Sequence, residues 1–135
     1  MERNRMRKEE IAEKAVEYKH NGFNCAQAVV GAMAEYVDAD KEGMIKVASG
    51  FGAGMGCMEA TCGALVGASM IAGLVLDGKG TAGKSREILQ QFHEMSGATI
   101  CKDLKGISTG EVLCSCDDCV RNAVNAAVDA LGLEK

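Results

Sequence analysis

Residues 60–76 read ATCGALVGASMIAGLVL, an uncharged run bounded by Glu59 and Asp77. Its length touches the lower limit for a membrane span, but small residues dominate it and no tryptophan or tyrosine flanks it as an interfacial anchor. The run therefore predicts a buried helix that starts near Thr61. Gly63 and Gly67, together with Ala64, Ala68 and Ala72, give that helix edges without bulk, along which a neighbouring backbone can pack closely. Such a helix needs partners around it, so a central position is expected.

The flanking sequence supplies those partners. Ile11, Ala15 and Tyr18 recur at helical spacing on a first helix that should stop near Asn21-Gly22. Asn24 is a good N-cap for a second helix carrying Ala28, Val29, Ala32, Met33 and Tyr36, and Asp40 can cap a third through Met44 and Val47. The stretch Gly50 to Gly56 alternates glycine too densely for a stable helix and predicts a loop whose backbone can approach a partner. Beyond Asp77–Gly80, Thr81 or Ser85 can start a fifth helix with Ile88, Leu89, Phe92 and Met95, stopped at Gly97. A short helical turn over residues 101–106 precedes a last helix from Asp117 or Asp118 to Gly132. No segment sustains period-two alternation. The expectation is an all-α, single-domain bundle of five to six helices with a Gly-rich loop, spanning residues 1–135.

Composition narrows the function classes. Net charge is −4 in 135 residues, and the basic N-terminal run, Arg3 to Lys8, gives way to Glu9, Glu10 and Glu13 without interleaved aromatics, which argues against nucleic acid. No apolar segment follows that run as in a signal peptide, so a cytoplasmic setting that keeps thiols reduced is expected. Seven cysteines in such a setting call for a chemical explanation. Their odd number does not fit a closed disulfide framework, and a chain of this length can bury a core without staples.

On the helix map, Cys25, Cys62, Cys101 and Cys119 each follow a candidate N-cap: Asn24, Thr61, Thr99, and Asp117 or Asp118. First-turn N–H groups are unpaired and the helix dipole is positive there, so a thiolate is stabilised and its pKa lowered. The alternative is that small apolar cysteines fill gaps in an alanine- and glycine-rich core. Cys57-x4-Cys62 and Cys114-x-Cys116-x2-Cys119 are dense enough for ligation but are not two matched zinc knuckles. The all-thiol supply suits an iron–sulfur cluster or dithiol chemistry better than a structural zinc site.

Gly78 to Ser85 satisfies the G-x4-G-K-[ST] pattern, in which Gly83, Lys84 and Ser85 would cradle phosphate and magnesium. That loop requires a preceding strand, whereas Leu74-Val75-Leu76 reads as a helix end, so phosphate or nucleotide binding ranks low.

The chain resembles a family of redox-active proteins of this length named for a C…GCAxxG…C…C pattern. The resemblance rests on Phe23-Asn24-Cys25-Ala26-Gln27-Ala28-Val29, Ala48-Ser49-Gly50-Phe51-Gly52 with Gly54-Met55-Gly56, Thr61-Cys62-Gly63-Ala64-Leu65-Val66-Gly67, Cys101-Lys102-Asp103-Leu104, and Cys119. It implies a redox role and assigns the four family cysteines to Cys25, Cys62, Cys101 and Cys119, with Cys57, Cys114 and Cys116 as extras or substitutes. Similarity to the iron–sulfur module of split-Soret cytochromes adds the expectation of a [2Fe-2S] cluster for electron transfer or redox sensing with a partner protein. The alternative is metal-free thiol–disulfide exchange, with Cys62 as attacking thiolate and Cys25 or Cys57 resolving it. Small-residue faces leave room for a homodimer.

Overall fold

The structure is a computed structural model that describes residues 8–37, 39–107 and 109–133. Seven α-helices form among these residues: α1 (Lys8–His20), α2 (Cys25–Val37), α3 (Lys41–Ala48), α4 (Gly63–Val75), α5 (Thr81–Ser96), α6 (Cys101–Lys105) and α7 (Cys116–Leu131). The fold is therefore all-α as expected, with seven helices rather than five or six. Within the glycine-dense stretch, Ser49–Phe51 form a tight helical turn, while Gly54–Met58 follow an irregular wide turn with non-helical backbone at Met55 and Gly56. None of the described helices is long and apolar enough to cross a membrane.

Local chemistry explains most boundaries. Asn24 and Gln27 form a reciprocal capping box: Asn24 Oδ1 accepts from the Gln27 N–H at 2.9 Å, and Gln27 Oε1 accepts from the Asn24 N–H at 3.0 Å. Asp40 accepts from the Gly43 N–H and starts α3. Gly97 and Gly132 take the left-handed conformation that stops α5 and α7.

The most enclosed helix is α2. Ten of its thirteen residues are buried, and α1, α3, α4 and α7 pack around it. The small-residue helix α4 packs on α2, α5 and α7, while its C-terminal Leu74 and Val75 reach solvent. Its glycine edge meets α2: a Cβ on Gly67 would lie 2.9 Å from the Ala26 carbonyl oxygen. Ile88 and Phe92 of α5 are fully buried, but Leu89 and Met95 face outward, contrary to the sequence expectation. Antiparallel α1 and α7 are laced at the surface by Lys8–Asp129, Glu13–Arg121 and His20–Asp117.

One polar cluster ties three helices together. Glu35 of α2 accepts from Lys14 of α1 and Lys41 of α3 at 2.6 Å each, and from the Tyr18 hydroxyl at 2.6 Å. Burial pushes the Glu35 carboxyl up, but hydrogen bonds from Lys14, Lys41 and Tyr18 outweigh it and hold the pKa at about 2, below its ordinary 4.5. A depressed carboxylate stabilises the fold above its unfolded-state pKa and loses that contribution as pH falls through the folded value. The stability gap between wild type and Glu35→Gln should therefore be full above pH 4.5 and close as pH falls toward about 2, measured by urea unfolding across that range. A gap independent of pH would refute the assignment.

Candidate functional site

Four helix starts and one backbone pairing assemble the thiols at one end of the bundle. Cys25 is the first residue of α2, set by the Asn24–Gln27 box. Thr61 and Ile100 form an isolated antiparallel bridge, with the Cys62 N–H donating to Thr99 O at 2.8 Å and the Cys101 N–H to Ala60 O at 3.0 Å. This pairing brings the entries of α4 and α6 side by side. It also moves the expected caps, because extended backbone before each helix is used in the bridge. Cys62 itself is the N-cap of α4, and Ile100 rather than Thr99 precedes α6. Helix α7 starts earlier than expected, because the Ser115 hydroxyl accepts from the Asp118 N–H at 3.2 Å. Cys116 is thereby its first residue and Cys119 its fourth.

Cys25, Cys62, Cys101, Cys116 and Cys119 line a single cavity of about 140 Å³. The other lining groups include Lys105 and Lys19, and among the described residues neither carboxylate nor histidine faces the space. Cys25 and Cys62 hydrogen-bond through their thiols, as do Cys62 and Cys119. Backbone N–H groups also reach two sulfurs, from Ala53 to Cys25 and from Leu65 to Cys62. Lys105 Nζ lies 3.8 Å from Cys119 Sγ.

The electrostatics correct the expectation of lowered thiol pKa values. The hydrogen bond with Cys62, followed by burial, raises Cys25. Contact with Cys119 and burial push Cys62 up to about 11 even though Cys25 and the Leu65 N–H pull it down. Burial raises Cys101 against the opposing charge of Lys105. Helix N-termini offer only a partial charge, and the crowding and burial of Cys25, Cys62 and Cys101 outweigh it. Burial disfavours the charge on Lys105, yet the facing Cys119, Cys116, Cys62 and Cys101 raise its pKa on balance.

The remaining candidates fall elsewhere. Cys57 is exposed on the Gly54–Met58 turn, its Sγ 3.7 Å from Gly54 O, and it does not line the cavity. Cys114 is buried beside Asn122, whose Nδ2 lies 3.7 Å from its Sγ and donates to Ser96 Oγ. Of the partners considered for Cys62 in thiol exchange, Cys25 touches it. All seven cysteines are free thiols. Among the described residues, no three His, Cys, Asp or Glu side chains stand in an arrangement that could hold a metal ion as they are. Gly83, Lys84 and Ser85 lie inside α5, preceded by helix rather than strand; Lys84 pairs with Glu87, and the Ser85 hydroxyl hydrogen-bonds that of Ser69.

Sequence reasoning had no role for Lys105, although Cys101 and Lys105 stand four residues apart, a spacing that puts both on one helix face. Cys116 entered only as a substitute, because its register depended on recognising Ser115 as the cap of α7.

Residues 23–130 match the family described as "Putative redox-active protein (C_GCAxxG_C_C)", and the chain belongs to that family. In its middle element, Thr61 precedes the cysteine and Gly63 follows it, ahead of Ala64-Leu65-Val66-Gly67. No curated protein and no solved structure gives a significant match.

Gly63 has a packing role that Gly83 lacks. A Cβ on Gly63 would stand 2.6 Å from both Cys25 Sγ and Phe51 O, whereas one on Gly83 meets nothing within 4 Å. Gly63→Ala should cost about 1–3 kcal/mol of stability, while Gly83→Ala should gain about 0.5–1 kcal/mol. Chemical unfolding of the two variants checks this, and equal effects would contradict the assigned contact.

Proposed function

We propose, from membership in this redox-active family and from the meeting of Cys25, Cys62, Cys101, Cys116 and Cys119 at one cavity, that the chain is a small electron-transfer or redox-sensing protein whose thiols hold an iron–sulfur cluster, [2Fe-2S] in type. The convergence of five thiols from four separate helices is the observation that carries the reading. Cys25, Cys62, Cys101 and Cys119 are the assigned ligands, with Cys116 able to replace one of them. Such a cluster supplies one-electron transfer at a potential set by net charge, hydrogen bonds to sulfur and burial.

The residues present suit that group in chemistry. The donors are all thiols, two of them accept backbone N–H groups, and lysine rather than carboxylate faces them. The raised pKa values of Cys25, Cys62 and Cys101 mean that loading must remove protons, so uptake should be favoured by rising pH. The contacts among Cys25, Cys62 and Cys119 also favour a second reading, metal-free dithiol exchange, in which two thiols release two protons and two electrons to a disulfide oxidant and form one disulfide. A partner protein would supply or accept the electrons in either case.

Anaerobic purification with a visible absorption spectrum, iron and acid-labile sulfide analysis separates the readings. The protein should be coloured and contain iron and sulfide. Cys62→Ser or Cys119→Ser, each combined with Cys116→Ser so that no spare thiol can step in, should bleach it, and Cys57→Ser should not. A colourless, iron-free protein that loses thiols in pairs on mild oxidation would replace the cluster with thiol exchange, and stoichiometric zinc without iron would mark a structural metal module.

A further inference from the structure

Helix α6 carries two lysines with different surroundings. Lys102 is directed to the surface, where its ammonium pairs with exposed Glu59 at 3.2 Å. Lys105 is half-buried and lines the thiol cavity, with its Nζ 3.8 Å from Cys119 Sγ. Cys62, Cys101, Cys116 and Cys119 line the same cavity around it. Keeping an ammonium among sulfurs is unfavourable unless those sulfurs carry negative charge during the working cycle, because desolvation is then offset by a partner.

We propose that Lys105 is the charge-compensating residue of the thiol centre and raises its reduction potential. The proposal rests on the redox reading above but not on which redox group the thiols form. An iron–sulfur cluster gains one electron on reduction and becomes more negative by one charge. A disulfide gains two electrons and, depending on pH, up to two protons, yielding two sulfurs that can carry negative charge. A fixed positive charge stabilises a reduced cluster directly, and a reduced dithiol where at least one of its sulfurs is ionised, so the sign of the effect is the same for both. Lys105 touches the centre without exchanging electrons, and its contribution is electrostatic. Lys19 lines the same cavity, and the ammonium–sulfur distance of 3.8 Å belongs to Lys105 and Cys119.

The test measures the midpoint potential of the full-length protein for wild type, Lys105→Met, Lys105→Gln, Lys105→Arg and Lys102→Gln. A coloured centre is titrated anaerobically with one-electron dye mediators; a colourless one is equilibrated in glutathione buffers at alkaline pH, where reduced thiols ionise, and its free thiols counted by alkylation. Lys105→Met keeps the packing of the lysine stem and remains usable where the glutamine variant folds poorly, with helicity checked by circular dichroism. Loss of the charge should lower the reduced-to-oxidised ratio at the wild-type midpoint about tenfold, which is about 59 mV for a one-electron centre and about 30 mV for a two-electron one. Lys105→Arg should stay near wild type. Unchanged potentials in both charge-removing variants would overturn the proposal, as would an equal shift in Lys102→Gln, which would reduce the effect to overall charge. Colour in the wild type decides the cluster reading separately. A wild type with neither colour nor reversible thiol oxidation would refute the redox reading itself and this proposal with it.

Discussion

The close approach of α2 and α4 is the constraint on which the rest of the molecule depends. Gly67 lets α4 lie against the Ala26 carbonyl, and Gly63 leaves just enough room for the sulfur of Cys25 and the carbonyl of Phe51. Larger residues at either point would force the helices apart, and close-packed interiors have little slack to absorb such a shift. The glycines are therefore structural in a way that reaches the chemistry. Cys25 opens α2 and Cys62 caps α4, so the interaxial distance sets whether their sulfurs meet. Alanine, glycine and cysteine occupy much of α2 for the same reason: each is small enough for a helix that four others surround.

Bringing sulfurs together has an electrostatic cost that helix termini do not cancel. A dipole end acts as about half a charge and fades within a turn, whereas a neighbouring thiol in a dry pocket both withholds water and resists a second negative charge. Cys25, Cys62 and Cys101 accordingly hold their protons more tightly than free cysteine. Burial and crowding thus favour the neutral form of these three thiols, and the chemistry that relieves the crowding is the removal of protons in favour of a bond: sulfur to metal or sulfur to sulfur. Lys105 is the full positive charge on the cavity side of this balance with a direct contact to sulfur.

Much of this was legible in the chain because the signals were local. Asn24 and Asp40 cap the helices they were expected to cap, and Gly97 and Gly132 stop the helices they were expected to stop. Where a boundary was set by tertiary pairing, local reading failed. Thr61 resembles an N-cap, but its backbone is committed to the bridge with Ile100, and the cap falls on Cys62. Ser115 was overshadowed by Asp117 and Asp118, and placing the cap two or three positions late hid the placement of Cys116. The outward turn of Leu89 and Met95 could not be read from α5 alone, since the face it buries is fixed by where α4 and α7 lie. The phosphate-loop lookalike shows the converse: a matching string has no cradle when its residues continue a helix.

The glycine-dense stretch also turned out to be more specific than its composition suggested. Ala53, Met55 and Met58 take φ values of 53°, 61° and 67°, a region that costs a residue with a Cβ about 1–3 kcal/mol and persists only where surroundings over-determine it. Those surroundings are the site itself. Gly52 presses on the Asn24 side chain, which in turn caps α2 and donates to Ser49 O, and Gly54 sits so near Cys101 that a Cβ would stand 2.7 Å from the cysteine's own. Held in this way, Ala53 aims its N–H at the Cys25 sulfur, while Ala53 and Met58 form part of the cavity wall. Glycine at those two positions would relieve the strain but leave the wall without side chains. The sequence therefore places glycine where the backbone must pass close to Asn24 and Cys101, and keeps a side chain where the thiols need cover. The backbone strain follows from enclosing a reactive thiol pocket with a chain that also has to donate to it.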